Sequence, residues 1–118
     1  MKKTAGIKYD FGAGPVLAHQ HPNGGGWVAD TARVDATAYV GLDARVYGTA
    51  EVFGDAWVFD NAQVYGDAQV FGTARVFGTA QVYGTARVSG TARVYGTARV
   101  YGDAQVYGTA RVDRKSVV

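Results

Sequence analysis

A six-residue unit repeats in register from Thr31 to Val112, and that period limits what this chain can become. The unit reads Thr/Asp-Ala-Arg/Gln-Val-Tyr/Phe-Gly. Valine fills its position 14 times out of 14, from Val34 to Val112, and an alanine stands two residues before each, so one face of every unit is fixed. Strand residues two apart share a face, which sets Ala and Val on one side and Arg/Gln and Tyr/Phe on the other. Arginine cannot line an unpaired apolar interior, so Ala and Val point inward. Gly and Thr/Asp then fall at corners, where Thr and Asp side chains are expected to bond the local turn backbone. A helix is excluded. A period of six holds no helical face, and each repeated Gly would cost about 1 kcal/mol.

Strands this short cannot close a core alone, but they can wind into a parallel solenoid in which each coil pairs with the next. Three units per turn give 18-residue coils and bring like residues into columns: Tyr47, Tyr65, Tyr83 and Tyr101 in one, Phe53 with Phe71, Phe59 with Phe77. The expected fold is all-β, a triangular solenoid of about five coils over residues 27–112. Residues 1–26 form a non-repeat lead-in or N-terminal cap, and 113–118 a C-terminal tail. Within the lead-in, Ile7 to Phe11 alternates like a strand lying across the first coil. Gly12 to Gly26, rich in Gly and Pro, reads as loop.

The units resemble the left-handed parallel β-helix of the hexapeptide-repeat proteins, whose pattern sets a small residue four after an aliphatic one. Val46 with Ala50 and Val64 with Ala68 carry it. The resemblance implies left-handed coils and, from the family's best-known members, an acyltransferase that forms trimers and uses a histidine base. Tyr or Phe directly after the aliphatic departs from that pattern. Gly24-Gly25-Gly26-Trp27-Val28 resembles the lead-in of uncharacterised hexapeptide-repeat proteins of bacteria and phages.

The rest of the sequence removes function classes. The chain has no cysteine, which excludes disulfides, thiolate metal sites and cysteine nucleophiles. No apolar run approaches a membrane span. The basic start lacks the apolar stretch of a signal peptide, so a cytoplasmic location is the default. A net charge of +2 points away from a general nucleic-acid binder. That charge is divided. From Asp30 to Asp67 seven acids and two bases give −5, and from Arg75 to Lys115 seven bases and two acids give +5. Stacked head to tail, such a prism sets a basic end against an acidic one, and a heterologous contact that does not close makes a filament.

Candidate sites follow from the outward positions. Tyr47, Tyr65, Tyr83, Tyr101, Phe53, Phe71, Phe59, Phe77 and Trp57 would form aromatic faces, and contiguous apolar faces mark interfaces. Arg75, Arg93 and Arg111 form a basic column whose stacked charges need counterions, a partner subunit, a polyanion or a glycan. His19 and His21 are the only histidines. On an extended segment their rings share a side, a weak metal or general-base candidate with no third ligand. Threonine columns of the ice-binding kind are interrupted by Asp43, Asp55, Asp67 and Asp103. The expected function is therefore structural and non-catalytic, without cofactor or metal: a subunit that assembles with itself, stacking head to tail into filaments or forming a symmetric homo-oligomer through its aromatic faces. A trimeric acyltransferase-like enzyme is the alternative, and a polyanion- or glycan-binding module a further one.

Overall fold

The computed structural model describes residues 7–118, which form strands and corners only. The basic start of the chain lies outside the described residues. From Trp27 onward each unit contributes one strand of two or three residues, always its Arg/Gln–Val pair or the equivalent. The strands fall on three faces. The first holds β3 (Trp27–Ala29), β6 (Arg45–Val46), β9 (Gln63–Val64), β12 (Gln81–Val82), β15 (Arg99–Val100) and β18 (Ser116–Val117). The second holds β4 (Arg33–Val34), β7 (Glu51–Val52), β10 (Gln69–Val70), β13 (Arg87–Val88) and β16 (Gln105–Val106). The third holds β5 (Tyr39–Val40), β8 (Trp57–Val58), β11 (Arg75–Val76), β14 (Arg93–Tyr95) and β17 (Arg111–Asp113). Neighbours on each face are parallel, in registers such as Val46↔Val64 and Val76↔Val94, so the 18-residue coil and the triangular β-solenoid are both present.

The interior follows from the alternation. Val40 to Val100 at the valine positions, and Ala38 to Ala98 two before each, are fully buried and form one continuous core. The corners turn at the unit's last residue. The glycines there have φ between +63° and +71°, and Asp60 (φ +57°) and Arg114 (φ +56°) adopt the same left-handed conformation in place of glycine. Thr and Asp side chains do not bond their own turn, as the sequence led one to expect. They reach across to the next coil: Thr79 Oγ1 donates to the Gly96 carbonyl at 3.0 Å and Thr85 Oγ1 to that of Gly102 at 2.9 Å. The corner threonines thus tie coil to coil.

Two segments depart from the sequence reading. Part of the stretch read as loop, Pro15–Gln20, is a strand, β2. It pairs antiparallel with β3 on one side and with β1 (Lys8–Asp10) on the other. The expected alternating strand is therefore β1, but it lies in a hairpin at the edge of the first face, pairing with β2 and reaching the coil itself only through side chains such as Tyr9, which stacks on Trp27. Proline opens β2, where its missing N–H removes no ladder bond that a central strand would need. At the other end, Ser116–Val117 pairs with Arg99–Val100 and carries the first face to a sixth level, with Val117 packed on the core. No helix among the described residues is long and apolar enough to cross a membrane.

Candidate interaction surface: the outer columns and the ends

The outward aromatics stack along the axis. In the tyrosine column, Tyr47–Tyr65, Tyr65–Tyr83 and Tyr83–Tyr101 have ring centroids 4.7, 4.9 and 5.2 Å apart with planes within 6°. Phe53–Phe71 and Phe59–Phe77 repeat the geometry at 4.9 and 4.8 Å, and Tyr95 continues the latter at 5.1 Å. The spacing is the interstrand distance, about 4.8 Å, imposed on rings by the backbone. Each ring therefore covers the next, and the columns are half-buried within the single chain. Burial first, and the neighbouring Tyr65 phenol second, hold the Tyr47 phenol above its ordinary range. Burial and then Tyr83 do the same for Tyr65. Adjacent to the rings, Tyr47 Oη donates to Gln63 Oε1 and Tyr65 Oη to Gln81 Oε1, both at 3.2 Å.

The columns are capped and interrupted at particular residues. Ala29 stands where the tyrosine column would begin, and Phe11 from the hairpin takes the vacant ring position, stacking on Tyr47 at 4.7 Å. Tyr9 stacks on Trp27 at 4.6 Å beside it. Gly41 leaves one face of Phe59 without a ring above it. Tyr39, Leu42, Asp43, Trp57 and Asp60 surround a cleft of about 300 Å³ at that place. There Leu42 is 64% and Trp57 44% exposed. Ser89 interrupts the column that holds Phe71.

The column of arginines follows an aromatic. Trp57, Arg75, Arg93 and Arg111 are successive register partners. The Arg75 guanidinium lies 5.5 Å from the Trp57 ring centroid, a cation–π contact that places one of the three charges. Among the described residues, none of the three arginines has a carboxylate partner.

The two histidines are committed to different partners. His19 Nδ1 is 2.7 Å from Asp30 Oδ1, with both side chains about half exposed. The His21 ring is buried, 3% exposed, and its Nε2–H donates to the Ala38 carbonyl at 2.8 Å. A carbonyl only accepts, so the proton on that nitrogen is fixed by its partner. Asn23 Nδ2 donates to the same oxygen at 3.1 Å, and His21 therefore acts as a brace between the lead-in and the first coil. Beside Asp30, the hairpin turn overhangs the first corner and encloses an apolar cleft of about 900 Å³ lined by Phe11, Pro15, Val16, Leu17 and Tyr47, with Lys8 at its margin.

The two ends of the prism differ. At the N-terminal end, β2 covers the edge of β3. The loop before β3 covers that of β5, with the Gly26 N–H donating to Val40 O and the Val40 N–H to Asn23 O. The strand β4 is left at the edge of its sheet. At the other end β16, β17 and β18 are all edge strands.

These features define a repeat β-solenoid protein. A family model described as the YdcK Beta solenoid repeat matches residues 80–96 and 92–108. The two matches start two units apart, in the most regular part of the prism. No curated protein and no solved structure matches the chain.

Proposed function

We propose that this chain is a non-catalytic structural subunit of the hexapeptide-repeat kind that assembles with itself end to end. The observation that carries this reading is one continuous core with unpaired strand edges at both ends, on halves of opposite net charge. An edge strand is a template for another chain. Opposite charge at the two ends favours head-to-tail contact over head-to-head. The stacked columns weaken the case for a lateral aromatic interface, because the rings already cover one another. The covered edges of β3 and β5 confine pairing at the N-terminal end to β4 and the outer edge of β1.

Electron microscopy and sedimentation across a protein and salt series test this. Linear particles that shorten as salt rises are expected, because the attraction between exposed charges is screened beyond about 8 Å at physiological ionic strength. Val34→Pro removes the N–H that points away from the neighbouring strand in β4, at an edge position where proline is tolerated, and should shorten them too. A monomer under all conditions would overturn the reading.

A second reading, an acyltransferase-like enzyme, is favoured by one contact. The His19–Asp30 pair has the form of an oriented base, and Asp30 also lines the apolar cleft. Acyl transfer lost in His19→Ala would support it, and transfer indifferent to that change would remove it.

A further inference from the structure

From Tyr47 to Tyr107 the residue after each valine is aromatic at every unit but one, and the exception is Ser89. The register Gln69↔Arg87↔Gln105 sets Ser89 directly between Phe71 and Tyr107 on the second face. Phe71 stacks on Phe53 with its plane 1° from parallel, so its other face is turned toward the missing ring. Tyr107 has no stacking partner among the described residues and is 67% exposed. Two coil rises, roughly 9.6 Å, separate the levels of Phe71 and Tyr107. That leaves the depth of one ring between them, at the spacing every other pair in the columns keeps. The gap is a cleft of about 200 Å³ lined by Phe71, Ser89 and Tyr107 with Arg87 and Gln105 alongside.

The charge at the gap selects among rings. Arg87 lies two residues before Ser89 on the same level, about 6.6 Å along the strand. That distance is spanned by half a benzene ring, the bond to a carboxylate carbon and a charge-assisted hydrogen bond to a guanidinium. Among the described residues Arg87 has no carboxylate partner, and it belongs to the half of the prism that carries +5. Gln105, one level on, offers an amide to the same group. Rings line the gap on both sides, its depth is one ring, and Arg87 is the charged residue among those lining it.

We propose that the gap at Ser89 is a binding slot for a monocyclic aromatic carboxylate, its ring held between Phe71 and Tyr107 and its carboxylate on Arg87. A planar ring completes the column at this level, and Arg87 is its fork-shaped anion partner. The slot opens on a face, and its Tyr107 wall directly follows β16, the edge strand of that face at the C-terminal end.

Titration of the full chain with benzoate, followed by the ring resonances of Phe71 and Tyr107, tests this. Benzoate should shift both sets and bind at least tenfold more tightly than cyclohexanecarboxylate, which has the charge without the flat ring, and than benzamide, which has the ring without the charge. Arg87→Gln should weaken benzoate at least tenfold and leave benzamide unchanged. Ser89→Tyr fills the gap with the column's own residue and should abolish binding while the chain stays folded by circular dichroism. Equal binding of benzoate and cyclohexanecarboxylate, or benzoate binding undiminished in Ser89→Tyr, would overturn the proposal. So would particles that fall apart in Ser89→Tyr with no benzoate binding to the original chain, because a ring from a second copy would then occupy the slot.

Discussion

Gly78→Ala and Gly108→Ala place the same methyl group in the same backbone conformation, and only one of them has a coil behind it. Gly78 has φ +69° and Gly108 φ +63°. In that region an L-residue costs about 1–2 kcal/mol. The loss of chain entropy in the unfolded state returns roughly 0.4–1 kcal/mol. Gly108→Ala meets nothing within 4 Å, so its net cost is about 1 kcal/mol. A Cβ at Gly78 would stand 2.8 Å from the Gly96 nitrogen and 3.1 Å from its oxygen. These are backbone atoms of the next coil, held there by the Thr79 N–H to Gly96 O bond at 2.8 Å. They can recede only if the coils separate at that corner. Overpacking of this kind costs about 1–3 kcal/mol more, for a total of about 2–4. In thermal unfolding followed by circular dichroism, with on the order of 4 °C per kcal/mol, Gly108→Ala should lower the midpoint by about 4 °C and Gly78→Ala by about 8–16 °C. Equal losses in the two variants would refute the claim that coil-to-coil contact, and not the turn conformation alone, demands glycine at these corners.

Val64 is fully buried, and Val64→Ala should cost about 2–3 kcal/mol in urea denaturation, with Val34→Ala, half-buried at the first coil, costing distinctly less. Phe11→Ala removes the ring stacked on Tyr47, worth about 0.5–1.5 kcal/mol beyond its burial, and should speed amide exchange in Lys8–Gln20 while the coils from Arg45 onward keep their protection. Tyr47 and Tyr65 ionise later in the folded chain than in the unfolded one, so the unfolded state loses its protons first as pH rises. Stability should therefore be level below the ordinary phenol value of about 10 and fall above it, and the double change Tyr47→Phe, Tyr65→Phe should flatten that fall in an alkaline melting series. His21→Ala should cost only about 1 kcal/mol in the same melts, because Asn23 continues to satisfy the Ala38 carbonyl.

The repeat was legible because its physics is local and identical in every unit. Val46 and Ala44 point inward for the same alternation that buries Val64 and Ala62, and one correct period orders the whole core and every column. What was not legible had no period. The strand Pro15–Gln20 carries the Gly and Pro signals of a loop at both ends, and only its pairing with Trp27–Ala29 makes it a strand. Ser116–Val117 escaped because its register partner lies 17 residues back and not 18, with the corner at Arg114 absorbing the difference. The corner threonines were assigned to their own turns because a sequence shows which residue is adjacent in the chain and not which carbonyl the next coil brings near.

The same reasoning locates where function can reside. In a prism built from one repeated unit, a feature present at every level serves the stack. The aromatic columns illustrate this: their rings are spaced by the backbone and explained by one another. Specificity must come from residues that break the pattern, because only they make one level unlike the next. Four such places stand out on the outer surface. At Ala29 the chain fills the gap itself with Phe11, which shows that a missing ring is a position another ring can occupy. At Asp60 the departure is a side chain on an unchanged left-handed corner, and its Oδ2 accepts from the Gly78 N–H at 3.2 Å. At Gly41 the gap opens at the acidic end, beside Asp43 and Asp60. At Ser89 it opens within the basic half, with a ring on either side and Arg87 next to it. The hairpin's own solution at Ala29 is thus the physical precedent for occupancy at Ser89, and the difference between the two gaps is that no segment among the described residues fills the second.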